Sequence, residues 1–115
     1  MNYKGAGVLI YKISDKKIYF LLGKENLILS KKCNKGNKFS DFGGKKDIGD
    51  NNYIDTASRE FYEETLGSFY SLSELRDLLL NTPGFYNERY KYYQYILKAD
   101  ISDDKVNTYN KIRSY

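Results

Sequence analysis

Strand-forming segments lie toward both ends of this 115-residue sequence, and two helix-forming segments lie between them. Residues 5–13 and 17–23 are rich in β-branched and aromatic side chains and flank a turn signal at 14–16, which predicts a hairpin. A third, short strand that runs into a glycine turn is predicted at 39–44. Residues 85–101 are predicted to form one long strand or a bent pair.

A first helix is predicted from about Asp55 to Leu66. Asp55 belongs to the residue types that cap helix N-termini, and Gly67 is the residue type that ends helices. Ala57 and Phe61 lie four residues apart, which places both on the helix face that we expect to contact the core.

A second helix is predicted at 71–81, where Ser71 and Glu74 fit a capping box and Pro83 follows the end. The elements therefore follow the order β, β, β, α, α, β, which favours an α/β (α+β) fold with helices packed on a mixed sheet. The length corresponds to a single domain, residues 1–115. The apolar stripe of the second helix is predicted to consist of Leu75, Leu78 and Leu79.

The composition excludes several classes of protein. With 41% hydrophobic and 30% charged residues, the chain is expected to be globular rather than disordered. No apolar run approaches the roughly 20 residues that cross a bilayer, and Lys12 interrupts the N-terminal apolar run, which predicts a strand rather than a signal peptide. The single cysteine, Cys33, fits a reducing compartment. We therefore expect a cytoplasmic protein with no membrane partner.

The sequence contains no histidine. Cys33 therefore has no histidine partner for nucleophilic catalysis and is predicted to be inert. With no histidine and one cysteine, the sequence also excludes an ordinary zinc site. Any metal must be bound by oxygen ligands, which favours Mg²⁺ or Mn²⁺.

Acidic residues are concentrated in one part of a basic chain. Residues 41–64 contain seven acidic and three basic side chains, a net charge of −4, and the remaining residues carry +8. This distribution suits a metal centre within a field that attracts polyanions, and it equally suits a solvated surface of mixed charge. A basic loop before the acidic region is either solvated or a contact for phosphate or RNA; its lysines are Lys31, Lys32, Lys35 and Lys38.

Three carboxylates, Glu60, Glu63 and Glu64, lie at i, i+3 and i+4 on one face of the first predicted helix. Like charges at these spacings repel by roughly 0.2–0.5 kcal/mol per pair on an exposed helix. Two interpretations are open at this point. The face is either solvated, with Arg59 offsetting part of the charge, or compensated by a divalent cation that takes hard oxygen ligands.

The residues around this face resemble the Nudix box. From Gly44, five residues lead to Asp50 and eight more lead to Arg59, which begins the run Arg-Glu-Phe-Tyr-Glu-Glu. The family pattern is a glycine, five residues, a glutamate, seven residues and then R-E-U-x-E-E-x-G-U, where U is aliphatic. The upstream Gly-Val-Leu strand, the Leu-Leu-Gly ending of the next strand and the Phe-Gly-Gly run are similar to the family as well. The resemblance covers residues 5 to about 100.

This sequence departs from the family pattern at three places. The first acid is Asp50 rather than a glutamate, and the loop after it is one residue longer. The closing glycine comes one position late, at Gly67, so that Leu66 stands where the glycine is expected. Asp47 or Asp55 is therefore an alternative to Asp50 as the first acid of the box.

The resemblance implies an α/β/α sandwich with a mixed sheet. Because Nudix domains usually continue further, it leaves two alternatives open: a minimal domain or one truncated at its C-terminal end. It implies hydrolysis of the diphosphate linkage in nucleoside diphosphate-X compounds, with Mg²⁺ or Mn²⁺ as cofactor. Glu60 is expected to accept the proton of the attacking water, and Arg59 to orient a glutamate. The implied catalytic residues are Arg59, Glu60 and Glu63, and the implied metal ligands are Gly43 (through its carbonyl), Glu60, Glu63 and Glu64.

The substrate is expected to be a nucleoside diphosphate-linked small molecule or capped RNA, as in mRNA-decapping members of the family, and DNA is not expected. A non-catalytic module that binds nucleotide or RNA is the alternative. Nudix enzymes often use a distal carboxylate, for which the late candidates here are Glu88, Asp100 and Asp103.

Overall fold

The computed structural model describes residues 2–25 and 38–99. Several predicted residues lie outside these ranges: Lys31, Lys32, Cys33, Lys35, Asp100 and Asp103. The described strands are β1 (Gly5–Ser14), β2 (Lys17–Leu21), β3 (Gly23–Glu25), β4 (Lys38–Ser40), β5 (Phe42–Lys45), β6 (Gly84–Asn87) and β7 (Tyr92–Lys98), and the described helices are α1 (Tyr53–Glu64) and α2 (Leu72–Leu80).

The main sheet is mixed. Its path is β2-β1-β7-β6, in which β1 and β7 are parallel and the other neighbours are antiparallel. Strand β5 pairs with residues 5–8 of β1, and β2 pairs with residues 10–14, so these two strands share one edge of β1. A separate hairpin joins β3 and β4. The predicted mixed α/β class is thus confirmed.

The N-terminal hairpin is confirmed with small changes in its bounds. Asp15 and Lys16 connect β1 to β2 with φ values of 51° and 64°. Positive φ at both central residues is the signature of a type I′ turn, whose twist matches the twist of the strands. The second strand ends at Leu21, and Gly23 already belongs to β3.

The predicted glycine turn at the end of 39–44 is wrong. Gly43 and Gly44 lie inside β5, directly opposite Gly7 and Ala6 of β1. A Cβ added to Gly43 would come within 2.6 Å of the Gly7 Cα. The glycines are therefore needed because the strands and their covering side chains approach closely, not because the chain reverses.

Helix α1 begins earlier than predicted, and its N-cap is Asn52 rather than Asp55. The Asn52 side-chain oxygen accepts the Asp55 backbone N–H at 3.0 Å, which leaves Asp55 inside the first turn. Asparagine is as good an N-cap residue as aspartate, and Asn52 lies three residues before the backbone N–H that it caps. As predicted, Ala57 and Phe61 are fully buried, and Phe61 meets Phe42 edge to face at 5.1 Å.

The C-terminal end of α1 is a Schellman motif. Gly67 N–H donates to the Tyr62 carbonyl at 2.9 Å, and Leu66 N–H donates to the Glu63 carbonyl at 3.2 Å. Leu66 has φ +57° and Gly67 has φ +68°. The helix thus ends at Glu64, two residues before the predicted end, and a leucine occupies the left-handed position where glycine is usual.

Helix α2 packs on α1, and its predicted capping box is confirmed by the reciprocal bonds of Ser71 and Glu74. Leu75 and Leu79 are buried as predicted. Leu78 is 39% exposed, so its place in the predicted stripe is wrong. A helix that packs along one neighbour buries a narrow stripe, and i+4 spacing selects Leu75 and Leu79.

The last predicted strand is a hairpin of β6 and β7, which confirms the bent-pair alternative. β7 lies beside β1, where Tyr95 and Leu97 align with Val8 and Ile10 on the face that α1 covers. The core is therefore the layer between α1 and the sheet; its buried members include Ala6, Val8, Ile10, Phe42, Ala57, Phe61, Tyr95 and Leu97.

Candidate functional site

Arg59 is the hub of a polar network that connects α1, the preceding loop and β5. Its Nε and Nη2 donate to the two carboxylate oxygens of Asp50 at 3.2 and 2.8 Å. Its Nη1 donates to Glu60 Oε1 at 2.8 Å, and Nη2 also donates to the Lys45 carbonyl at 2.9 Å. The planar guanidinium thus connects the loop before α1 to β5, and it also holds the carboxylate of Glu60, the next residue in the helix.

Asp50 is held more tightly than its place in a loop suggests. Besides Arg59, the Thr56 hydroxyl and the Asp47 backbone N–H each donate to Asp50 Oδ2 at 2.8 Å. The Asp50 side chain is only 6% exposed. The Arg59 hydrogen bond is the main cause that lowers the pKa of Asp50 to about 2, and the pKa of Arg59 is raised in return. The pair is therefore ionised throughout the physiological range.

Asp47 and Asp55, the two alternatives to Asp50, have other partners. Asp47 Oδ1 accepts the Ile48 backbone N–H at 2.8 Å, which stabilises the turn itself. Asp55 forms an ion pair with Arg76 of α2 at 3.7 Å. Of the three candidate acids, Asp50 is the one that contacts Arg59.

Glu60 lies in a notch that Gly44 creates. A Cβ added to Gly44 would overlap the Glu60 carboxylate, with 2.5 Å to its carboxyl carbon and 2.9 Å to Oε1. The carboxylate therefore rests on the backbone of β5 while Arg59 holds it from the other side. The Glu60 side chain is 17% exposed, so this acid is presented to solvent in a fixed position.

Glu63 and Glu64 lie one helical turn beyond Glu60. Glu63 Oε2 is 3.6 Å from Arg59 Nη1, and its side chain is 59% exposed. Within residues 2–25 and 38–99, no group of three or more potential ligands stands ready to hold a metal ion. The donor set still fits a hard cation. Its members are carboxylates on one helix face, and Glu60 occupies a cradle that a Cβ would fill.

Three polar residues near β5 were missed by the sequence reasoning. Asp41 precedes the strand, and its Oδ2 accepts hydrogen bonds from the Tyr92 hydroxyl at 2.9 Å and from Gln94 Nε2 at 2.8 Å. A Cβ on Gly7 or Gly43 would overlap the Tyr92 hydroxyl. No local pattern in the sequence reveals this contact, because it depends on β7 lying parallel to β1.

Of the late carboxylates, Glu88 is an exposed residue between β6 and β7. Asp100 and Asp103 lie outside the described residues. The lysines beside the site that the structure does describe are Lys45 and Lys46, both exposed.

Comparisons with known proteins give little support for any family. No family model matches the chain, and no solved structure matches it. The chain is similar to a protein of Acanthamoeba polyphaga mimivirus named "Uncharacterized protein L534", with 35% identity over 74 residues. The match spans 64% of this chain and 23% of that protein.

Neither α1 nor α2, the helices of the described part of the chain, is long and apolar enough to cross a membrane.

Proposed function

We propose that this chain is a Nudix-type hydrolase that uses a divalent metal ion to cleave the diphosphate linkage of nucleoside diphosphate-X compounds. The observation that carries the proposal is the Arg59 hub, which bonds the acid of the loop and the first glutamate of the helix at the same time. A solvated acidic face does not need a nearly buried Asp50 or a glycine notch for Glu60.

The residues of the site have separate roles in this proposal. Asp50 fixes Arg59, and Arg59 fixes the carboxylate of Glu60, so the proton acceptor is oriented before substrate arrives. Glu60 accepts the proton of the attacking water, which leaves the water oxygen free to attack phosphorus. Exposed Lys45 and Lys46 attract the polyanionic substrate.

Glu60, Glu63 and Glu64, with the Gly43 carbonyl, would hold Mg²⁺ or Mn²⁺. A bound ion of this kind neutralises the diphosphate and makes water a better nucleophile. Glu63 and Glu64 supply ligands from the exposed part of the helix face, and Glu60 supplies one from the Gly44 notch.

The proposal includes the α/β/α sandwich of the family. Its support is the composition of the sheet face away from α1, where Ile13 lies opposite Ile18 and Tyr11 lies opposite Phe20. Ile13, Ile18 and Phe20 are exposed large apolar side chains, which a further layer would cover. The substitution Phe20→Lys is expected to destabilise the protein if such a layer is present. An unchanged free energy of unfolding would exclude the layer.

The catalytic part is tested with the full chain and a panel of nucleoside diphosphate derivatives and capped RNA, with phosphate or nucleotide release measured with and without Mg²⁺ or Mn²⁺. Glu60→Gln is expected to reduce turnover by roughly 10²–10⁴-fold, because it removes a positioned proton acceptor. The matched control is Asp77→Asn, which neutralises an exposed carboxylate on α2 and should leave turnover unchanged.

Metal binding is measured separately by titration calorimetry with Mn²⁺. The double substitution of Glu63 and Glu64 by glutamine is expected to abolish saturable binding. If the unaltered chain binds Mn²⁺ but turns over nothing on the panel, a non-catalytic binding module replaces the hydrolase. If it neither binds nor turns over, the proposal is wrong.

A further inference from the structure

The side chain of Tyr92 crosses the sheet on the face opposite α1. Tyr92 begins β7 and aligns with Gly5 of β1. A Cβ added to Gly5 would lie 3.1 Å from Tyr92 Cδ2, and a Cβ on Gly7 or Gly43 would overlap the Tyr92 hydroxyl. The ring therefore runs from β7 across β1 to β5, over a floor of three glycines whose missing side chains make room for it.

The end of this side chain is fixed by hydrogen bonds. The Tyr92 hydroxyl donates to Asp41 Oδ2 at 2.9 Å, and Gln94 Nε2 donates to the same oxygen at 2.8 Å. Burial and the nearby Asp41 carboxylate raise the pKa of Tyr92, and the charges of Glu64 and Glu60 act in the same direction. The hydroxyl consequently remains a donor, and it lies within electrostatic reach of the carboxylate face of α1.

Strand β5 needs such a restraint. In the described part of the chain, β5 pairs with β1 on one side and with no other strand. Its two central residues are Gly43 and Gly44, and glycine is the residue with the most backbone freedom to lose on folding. Asp41 stands two residues before Gly43, so a bond from Tyr92 to Asp41 ties the strand to β7 at the point where it carries the site.

We propose that Tyr92 and Asp41 are positioning residues that hold the Gly43–Gly44 backbone in place beneath the carboxylates of α1, an inference that rests on the proposed metal-dependent function. Neither side chain is itself an implied metal ligand, and the hydroxyl end of Tyr92 covers Gly43, whose carbonyl is the implied ligand. They act through β5, which provides the Gly43 carbonyl and the notch for Glu60.

The test uses Tyr92→Phe, which keeps the ring over the glycines and removes only the hydroxyl, and Asp41→Ala, which removes the acceptor. Each variant is expected to lower both the Mn²⁺ affinity, measured by titration calorimetry, and kcat/KM about tenfold. This is the low end of the range for residues that orient metal ligands without binding the metal themselves. The double variant should lose no more than Asp41→Ala alone, because that change already removes the bond from the Tyr92 hydroxyl. Asp41→Asn retains an oxygen acceptor and should restore most of the affinity.

The matched control is Tyr90→Phe, at an exposed tyrosine between β6 and β7. Thermal unfolding of every variant separates positioning from folding. If Tyr92→Phe and Asp41→Ala lower only the melting temperature, or match the unaltered protein in Mn²⁺ affinity, the positioning role is overturned while the hydrolase stands. If the unaltered protein itself neither binds Mn²⁺ nor hydrolyses the panel, both inferences fall together.

Discussion

On each of the two faces of β5, a glycine makes room for a polar group from another element, but the two surroundings differ. On the face toward α1, Gly44 leaves a notch that the flexible Glu60 side chain fills with its carboxylate. On the opposite face, Gly43 and Gly7 leave a notch for the hydroxyl end of Tyr92. Both notches contain a polar group from another element, but the first opens toward solvent and the second lies under an aromatic ring.

The difference lies in what surrounds each glycine. A Cβ on Gly44 would meet only the Glu60 carboxylate among its three nearest atoms. A Cβ on Gly43 would meet Tyr92 and also the backbone, with 2.6 Å to the Gly7 Cα and 2.8 Å to the Ala6 carbonyl oxygen. The missing side chain of Gly44 is therefore expected to matter for the site, and the missing side chain of Gly43 for the stability of the fold.

The largest effect is expected from Gly43→Ala. Its methyl group would be forced against the backbone of β1, which cannot move without disturbing the sheet. Overpacking of this kind should lower the free energy of unfolding by about 3 kcal/mol. Urea unfolding followed by circular dichroism measures it. Gly49→Ala is the control, because a Cβ there would have no neighbour within 4 Å. Equal stability of the two variants would show that β5 is not closely packed on β1.

Gly44→Ala should instead affect the site. The methyl group would displace the Glu60 carboxylate, whose side chain can rotate away, so the free energy of unfolding should change by no more than about 1 kcal/mol. A proton acceptor moved by an ångström or more should reduce kcat about 10²-fold. Turnover on the substrate found with the panel is the measurement. A fully active Gly44→Ala protein would mean that the position of Glu60 does not matter.

The contribution of the Asp50 carboxylate to the free energy of unfolding depends on pH. Asp50 has a pKa of about 2 in the folded state against 3.8 for an unperturbed aspartate, so the folded state binds this proton less strongly than the unfolded state. The stabilisation, about 2 kcal/mol, is present above pH 4 and is lost as the pH falls toward 2. Asp50→Asn should therefore be less stable than the unaltered protein at pH 7 and nearly equal to it at pH 2.

The difference in the free energy of unfolding between the two proteins is measured by urea unfolding between pH 7 and pH 2. Asp77→Asn, at an exposed position of α2, should show no such convergence. A stability difference that stays constant with pH would mean that Asp50 acts through its shape and not through its charge.

The sequence predicts the parts of this site that are local and misses the parts that depend on the sheet. The spacing of Arg59, Glu60 and Glu63 within one helix follows from the periodicity alone. The resemblance indicated Asp50 as the first acid of the box, although the longer loop left Asp47 and Asp55 open, and the contact of Asp50 with Arg59 was not predicted. The role of Gly43 in a strand, and the contact of Tyr92 with Asp41 across 51 positions, require knowledge of which strands are neighbours.

The smallest effect is expected at the end of α1, away from both notches. Leu66 holds φ +57°, a left-handed conformation that costs a residue with a Cβ roughly 1–2 kcal/mol, partly offset by the greater freedom of glycine in the unfolded chain. Leu66→Gly should therefore raise the free energy of unfolding by about 0.5–1 kcal/mol and leave turnover unchanged. Leu66→Ala is the control, because it removes the half-exposed side chain and keeps the Cβ. If alanine stabilises as much as glycine, the exposed leucine side chain and not the backbone is the source of the strain.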